Sequence, residues 1–305
     1  MSANVLKRKT TIKHLCYERL IKIWPIKKGQ TRWLNLVSRA LHISPYGFTK
    51  HMSVGKYRLR LDPGDENDLY YYFGFAGAAY SRLVVRLLQP GDCVIDIGAN
   101  VGHFSAVCAG MVGTTGQVNA VEASPVLFKR LQELVAEVPD GPIKAHHAAV
   151  WSIEGPLSFY LADNSGWSSL KKNDTFHPYE CVMVQGVTID AFINRNDISH
   201  VRLLKIDIEG AEMDALLGSK ESMRAGKIDL IFLEAEPCRL NSYRHSGEEI
   251  AALMEDNSFR AVACIKEDDI QPVLENNQIP GKFNGDYLYA HKTQAEEVKN
   301  KIFGK

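Results

Sequence analysis

From residue 93 onward, short apolar strand-forming runs alternate with helical patterns so regularly that few folds can accommodate the chain. The runs are CVIDIG (93–98), QVNAVE (117–122), IKAHHAAV (143–150), VRLLKIDI (201–208) and IDLIFLEAE (228–236). Between them, SPVLFKRLQELVAEV (124–138) and GAEMDALLGSKESMRAG (210–226) place apolar residues at helical spacing. Another helix is expected over SGEEIAALMEDN (246–257), then strands at FRAVACI (259–265) and GDYLYAH (285–291). Such alternation builds parallel βαβ units, and therefore an α/β protein with a doubly wound sheet. The interval between the third and fourth strands is too long for one helix. There GPLSFYLAD (155–163) and ECVMVQGVTIDAFI (180–193) read as added strands around a polar loop.

Upstream, VGKYRLRLDPGDEND alternates like a small β element, and LYYYFGFAGAAYSRLVVRLLQPGD reads as an aromatic stretch followed by a helix that ends at Pro90-Gly91. The chain is expected to divide into a basic helical N-terminal extension (1–52), a main domain (53–292) and a polar C-terminal tail (293–305). No apolar run approaches the roughly 20 residues needed to span a bilayer. The first 25 residues lack the continuous apolar core of a secretory signal. The six cysteines form no CxxC pair or metal spacing, which fits buried free thiols in a reducing, cytoplasmic setting.

Charge is distributed unevenly. Residues 1–50 carry eleven Lys and Arg against one acid, Glu18, leaving 25 basic and 35 acidic residues in the rest of the chain. Within the extension, Ile12, Leu15, Cys16, Leu20, Ile23 and Trp24 recur at helical spacing among lysines, and Pro25 ends or kinks the helix. Such a helix, over residues 5–28, either makes weak peripheral contact with an anionic membrane or packs its apolar stripe on the main domain. The second is favoured, because one short basic helix binds membranes weakly. Nucleic acid is not an expected partner: the extension has no recognisable motif and the remaining chain is acidic.

The turn after the first strand of the alternation, Asp96-Ile-Gly98-Ala-Asn100-Val-Gly102, constrains function. Open α/β sheets bind ligands at the C-terminal strand ends, where glycine allows a sharp turn and close approach of the backbone. Glu122 ends the next strand, 20 residues after Gly102, where a Rossmann-like fold places the carboxylate that accepts ribose hydroxyls. A dinucleotide site requires G-x-G-x-x-G for its pyrophosphate. Here Asn100 replaces one glycine and Asp96 is added, which repels a pyrophosphate but suits the ammonium and sulfonium of S-adenosylmethionine.

VIDIGANVGHFS, VEASP, AAVWSIEGPLSF, VTIDAF and LLKIDIEGAEMDALLG resemble, in order, the FkbM family of S-adenosylmethionine-dependent methyltransferases, with KIDIEGAE the most specific segment. The resemblance implies a class I methyltransferase fold, a Rossmann-like doubly wound sheet of seven strands with the last antiparallel. It also implies O-methylation of a hydroxyl on a saccharide, glycan precursor or secondary metabolite. Asp96, Gly98, Asn100 and Gly102 would then hold the methionine part of the cofactor and Glu122 the ribose, with Ala149 and Val150 flanking the adenine. The chain departs from many members in having Ala123 after Glu122 and His147 in place of an asparagine.

In KIDIEGAE, Asp207 and Glu209 lie two apart, so in an extended strand both side chains face one way. A sugar hydroxyl is a poor nucleophile and needs a base within reach as its bond to the methyl carbon forms. Asp207 or Glu209 can serve, or one acid can bind the amino end of the cofactor while the other ties down a loop. Glu212, one helical turn on, caps the helix or favours its dipole. A third arrangement sets Asp207, Glu209, Glu234 and Glu236 around Mg²⁺, which the sequence admits but does not require. Of the histidines near the strand ends, His103, His177 and His245, the last is the preferred alternative base. The loop with Ser165, Trp167, Ser168 and Ser169 suits a substrate wall, since tryptophan stacks on sugar faces. Two rival readings are a non-catalytic methyltransferase-fold binding module and a nucleotide-dependent sugar-modifying oxidoreductase.

Overall fold

The computed structural model describes residues 50–62, 65–73, 77–162, 165–172, 178–266, 269–273 and 285–304. The basic helix expected over residues 5–28, its membrane contact and His177 lie outside the described residues. A hairpin of β1 (Lys50–Val54) and β2 (Tyr57–Leu61) comes first. The next elements are α1 (Glu66–Phe73) and α2 (Ala78–Leu87), then β3 (Cys93–Ile97), α3 (His103–Val112), β4 (Gln117–Glu122), α4 (Pro125–Ala136) and β5 (Ile143–His147). A short β6 (Ala149–Val150) leads to β7 (Gly155–Ala162), β8 (Pro178–Val187) and α5 (Ile189–Arg195). The chain returns through β9 (Val201–Ile206), α6 (Glu212–Leu217), α7 (Lys220–Arg224), β10 (Ile228–Ala235), α8 (Pro237–Ser242) and α9 (Gly247–Asp256). It ends with β11 (Phe259–Lys266), β12 (Asp269–Pro272), β13 (Gly285–His291) and α10 (Ala295–Phe303).

The main sheet runs β12-β11-β13-β10-β9-β3-β4-β5. Strands β5, β4, β3, β9 and β10 are mutually parallel, and β13 lies antiparallel between β10 and β11. These are the seven expected strands with the last antiparallel, and β12 adds an eighth at the β11 edge. Each inner strand is apolar on both faces, which explains why their sequences read as continuous apolar runs. Val94, Leu203, Phe232 and Leu288 pack with α2, α3, α4 and α10 on one face. Ile95, Leu204, Ile231 and Leu233 pack with α5, α6 and α9 on the other. The chain winds outward in opposite directions from β3 and β9, so the switch point between these two strands opens a crevice at their C-terminal ends.

Four elements differ from expectation. The run 143–150 is not one strand: the chain turns at Ala148, and β6 leaves to pair with β8 in a separate three-stranded sheet, β6-β8-β7. The segment 180–193 ends as a strand at Val187, because Thr188 caps α5 by accepting the Ala191 N–H at 3.1 Å. The helix expected over 210–226 is two helices. The Asp190 carboxylate accepts the N–H groups of Glu221 (3.0 Å) and Ser222 (2.8 Å), restarting the chain as α7. Finally, the polar tail is the helix α10, which buries Ala295, Val298 and Ile302 as a narrow stripe under an otherwise charged surface. Of the cysteines, Cys108 and Cys264 are buried as expected of free thiols, while Cys181 and Cys238 are exposed.

Candidate active site

The turn after β3 holds three residues at positive φ: Gly98 (76°), Asn100 (53°) and Gly102 (85°). Each has a separate cause. A Cβ at Gly98 would stand 1.8 Å from the Asp207 carbonyl oxygen, so this glycine lets the ends of β3 and β9 close together. Asn100 tolerates the left-handed region because its side-chain oxygen accepts the Val101 N–H at 2.7 Å. Gly102 faces inward: a Cβ there would meet Leu134 at 2.4 Å and Leu131 at 2.8 Å, so its role is to let α3 start against α4.

A cavity of about 300 Å³ opens over these strand ends. Its walls take in Gly98, Asn100, Glu122, Val150, Asp207 and Glu209 from the sequence-predicted set. Asp96, Gly102, Ala149 and His245 are not in them. The opposite wall comes from Asn67 and Tyr71 of α1 and from Gly166, Trp167 and Ser168.

Asp96, expected to hold the methionine part of the cofactor, lies behind the cavity lining as a buried anchor. Its side chain is fully buried, accepts the Ser105 hydroxyl at 2.6 Å and lies 3.5 Å from the Lys205 ammonium. Lys205 reaches the cavity and also donates to Asp207 at 2.9 Å. Burial opposes the charge on Lys205, but Asp207 and Asp96 outweigh it and keep the group protonated. Sequence reasoning passed over Lys205, although a lysine inside the apolar strand VRLLKI was a visible signal of a buried partner.

Beside Asp207 stands Glu234, whose carboxyl is hydrogen-bonded to it. The Asp207 charge, together with burial and Asp286, holds the Glu234 carboxyl well above the usual range. Asp286 is pushed up to about 6 by burial and accepts the Tyr80 hydroxyl. Glu209 also lines the cavity, but in the left-handed region (φ 62°) and paired with Arg239. Arg239 holds Glu236 as well, at 3.0 Å, so three of the four acids considered for Mg²⁺ are held by Lys205 or Arg239. Among the described residues no group of three or more His, Cys, Asp or Glu is arranged to hold a metal ion.

Glu212 proves to be the loop-binding acid. It is buried and accepts the N–H groups of Ile208 (3.2 Å) and Gly210 (3.0 Å), closing the turn that presents Asp207 and Glu209. His245, the alternative candidate base, does not line the cavity. It sits away from the cavity, 3.2 Å from Asp214 and 3.7 Å from Glu249.

Glu122 is 6% exposed, and its two oxygens accept the N–H groups of Asn100 and Ser124, each at 2.8 Å. Burial raises this carboxyl to about 7 despite both hydrogen bonds. His103 lines the same cavity and stacks on Tyr71 at 4.6 Å between ring centroids; burial lowers it to about 4, so it is neutral at pH 7. In the expected substrate wall, Trp167 is 36% exposed at the cavity and Ser168 lines it. Ser169 instead turns away to donate to the Lys171 carbonyl, and the Ser165 side chain lies outside the described residues.

The sequence profile of the methyltransferase FkbM domain matches residues 96–261. Hexuronic acid methyltransferase AglP of Haloferax volcanii is 22% identical over 183 residues, which span 58% of this chain and 73% of that protein. Protein-L-isoaspartate O-methyltransferase 1 of Arabidopsis thaliana is 34% identical over 97 residues, 32% of this chain and 39% of that protein. Among solved structures, a methyltransferase FkbM from Methylobacillus flagellatus is 14% identical with a TM-score of 0.41, covering 87% of this chain and 72% of that one.

Proposed function

The chain belongs to the FkbM methyltransferase family, and we propose that it methylates a hydroxyl oxygen of a saccharide, glycan precursor or secondary metabolite, with S-adenosylmethionine as donor. One observation carries the reading: a single cavity is lined by a buried carboxyl, Glu122, at the β4 end and by the Asp207 carboxyl at the β9 end. That arrangement fits a nucleoside with a cationic amino-acid arm.

S-adenosylmethionine, when bound, supplies a methyl group on a positively charged sulfur. Glu122 would hold the ribose hydroxyls, the backbone at Gly98 and Asn100 the methionine part, and Val150 the adenine edge. Asp96 acts at one remove by fixing Lys205. The acidic strand ends favour a positively charged ligand through Coulomb attraction in a poorly hydrated site. Asp207, at the cavity and held by Lys205, accepts the proton of the acceptor hydroxyl. A positioned base of this kind contributes roughly 10²- to 10⁴-fold, and alignment of the two reactants contributes more. Trp167, 36% exposed in the cavity lining, brings an aromatic ring of the kind that suits a sugar, and the hexuronic acid methyltransferase among the relatives supports the saccharide class.

The test is calorimetric titration with S-adenosylmethionine, repeated on Glu122→Ala, followed by an acceptor screen with labelled methyl donor. Binding that Glu122→Ala abolishes, and labelled product that Asp207→Asn suppresses, would support the reading. A folded wild-type protein that binds no donor would sink it.

A further inference from the structure

Three carboxyl groups crowd the rim of the sheet at the cavity. Asp207 follows β9, Glu234 lies near the end of β10, and Asp286 stands directly across from Glu234 in the antiparallel register of β10 and β13. Facing residues in such a pair have Cβ atoms about 4.5–5.5 Å apart. Lys205 brings a positive charge to the group but shares it with Asp96, and Arg239 is held by Glu209 and Glu236. Three neighbouring carboxylates cannot all ionise against one shared ammonium in a buried site.

We propose that Glu234 and Asp207 form one proton-sharing pair, in which Glu234 keeps the proton, donates a hydrogen bond to Asp207 and so leaves Asp207 as the proton acceptor in the cavity. This rests on the reading of Asp207 as the acceptor of the hydroxyl proton, and it makes Glu234 a positioning residue. Lys205 and Glu234 both bond the Asp207 carboxylate, so its orientation is set before any ligand arrives. The groups facing Glu234 pull in both directions, and those that oppose its ionisation prevail. From β9 come the charge of Asp207, which opposes ionisation, and that of Lys205, which favours it; from β13 comes Asp286, which opposes it. Tyr80 of α2 and Tyr71 of α1 are both held protonated by burial. Asp96 of β3 draws on the charge of Lys205. The balance keeps the Glu234 carboxyl neutral, and glutamine is its closest mimic because it too donates to a carboxylate without ionising.

The experiment is infrared difference spectroscopy of the full chain, without donor or acceptor, between wild type and Glu234→Gln at about pH 8. The expected result is the carbonyl band of one neutral carboxylic acid in wild type that the variant lacks. Asp207→Asn provides the second comparison. Removing the neighbouring charge should let Glu234 ionise at the same pH, and the band should vanish there too. An unchanged band in both variants would overturn the proposal, as would its absence from wild type. A kinetic arm separates positioning from simple packing: Glu234→Gln should retain kcat within about threefold, while Glu234→Ala should lose about a hundredfold. Equal losses in the two variants would also overturn the proposal. Because the infrared readout needs no ligand, a neutral Glu234 in a protein that binds no donor would leave the pair standing and remove the methyl-transfer reading.

Discussion

The Asp207 carbonyl oxygen lies 1.8 Å from where a Cβ on Gly98 would stand, so the ends of β3 and β9 meet only because position 98 has no side chain. That contact joins the glycine turn to the acidic strand end, the two halves of the proposed site. Both loops line the cavity.

Gly98→Ala is therefore expected to destabilise the fold by roughly 3 kcal/mol, combining the cost of the left-handed conformation with that of a backbone clash. Urea unfolding measures it. A loss below about 1 kcal/mol would mean that β3 and β9 can separate without consequence.

Lys205 lies between two carboxylates, one of them fully buried. Lys205→Met leaves Asp96 buried without its cation and should cost about 3–5 kcal/mol. Adding Asp96→Asn should recover most of that loss. A double-mutant cycle in urea measures the coupling, and strictly additive effects would contradict the pairing.

Glu212 is raised by burial to about 7, against 4.5 for the free group. A carboxyl raised on folding binds its proton more tightly in the folded state. Its contribution to stability is therefore complete below about pH 4.5 and is lost as pH rises through about 7. Glu212→Gln cannot ionise, so the fall in stability between about pH 4 and about pH 8 should shrink by on the order of 3 kcal/mol relative to wild type. Parallel stability curves for the two proteins would show that Glu212 does not titrate in this window.

His245→Ala should leave donor affinity and turnover unchanged, because the side chain bonds Asp214 and Glu249 away from the cavity. It should cost about 1 kcal/mol of stability through the lost Asp214 contact. Loss of turnover in a stable variant would return His245 to the list of bases.

Trp167→Ala should raise the KM for the acceptor roughly tenfold, the effect of losing one stacking contact, while the Kd for the donor stays put. Equal loss of both would place the indole on the donor instead.

The strand order from β3 through β10 was readable because each strand is apolar on both faces and each helix follows at the expected distance. The break at Ala148 was not, since Ala149 and Val150 continue an apolar run and only the partner strand β8 reveals that they belong to another sheet. The helix α10 was hidden for the opposite reason: its three buried residues form a stripe too narrow to mark it in a polar segment.

Within the site, the residues whose role depends on backbone conformation or chain position were legible. Gly98, Asn100 and Glu122 occupy a turn and a strand end that the sequence pattern itself defines, and all three reach the cavity. Asp207 and Glu209 were found by the same logic. The charge partners were settled only by the tertiary structure. Asp96 could be recognised as an acid at a strand end, but whether it faced ligand or protein depended on Lys205, 109 residues later and directly beside it in the β3–β9 register. Glu209 and Glu234 were both candidate acids, and they diverge because Arg239 pairs with one while Asp207 bonds the other. Sequence determines which side chains arrive at the strand ends, because strand periodicity and turn chemistry are local. Tertiary packing decides which of them keep their charge, because ionisation in a buried site depends on neighbours brought from distant parts of the chain.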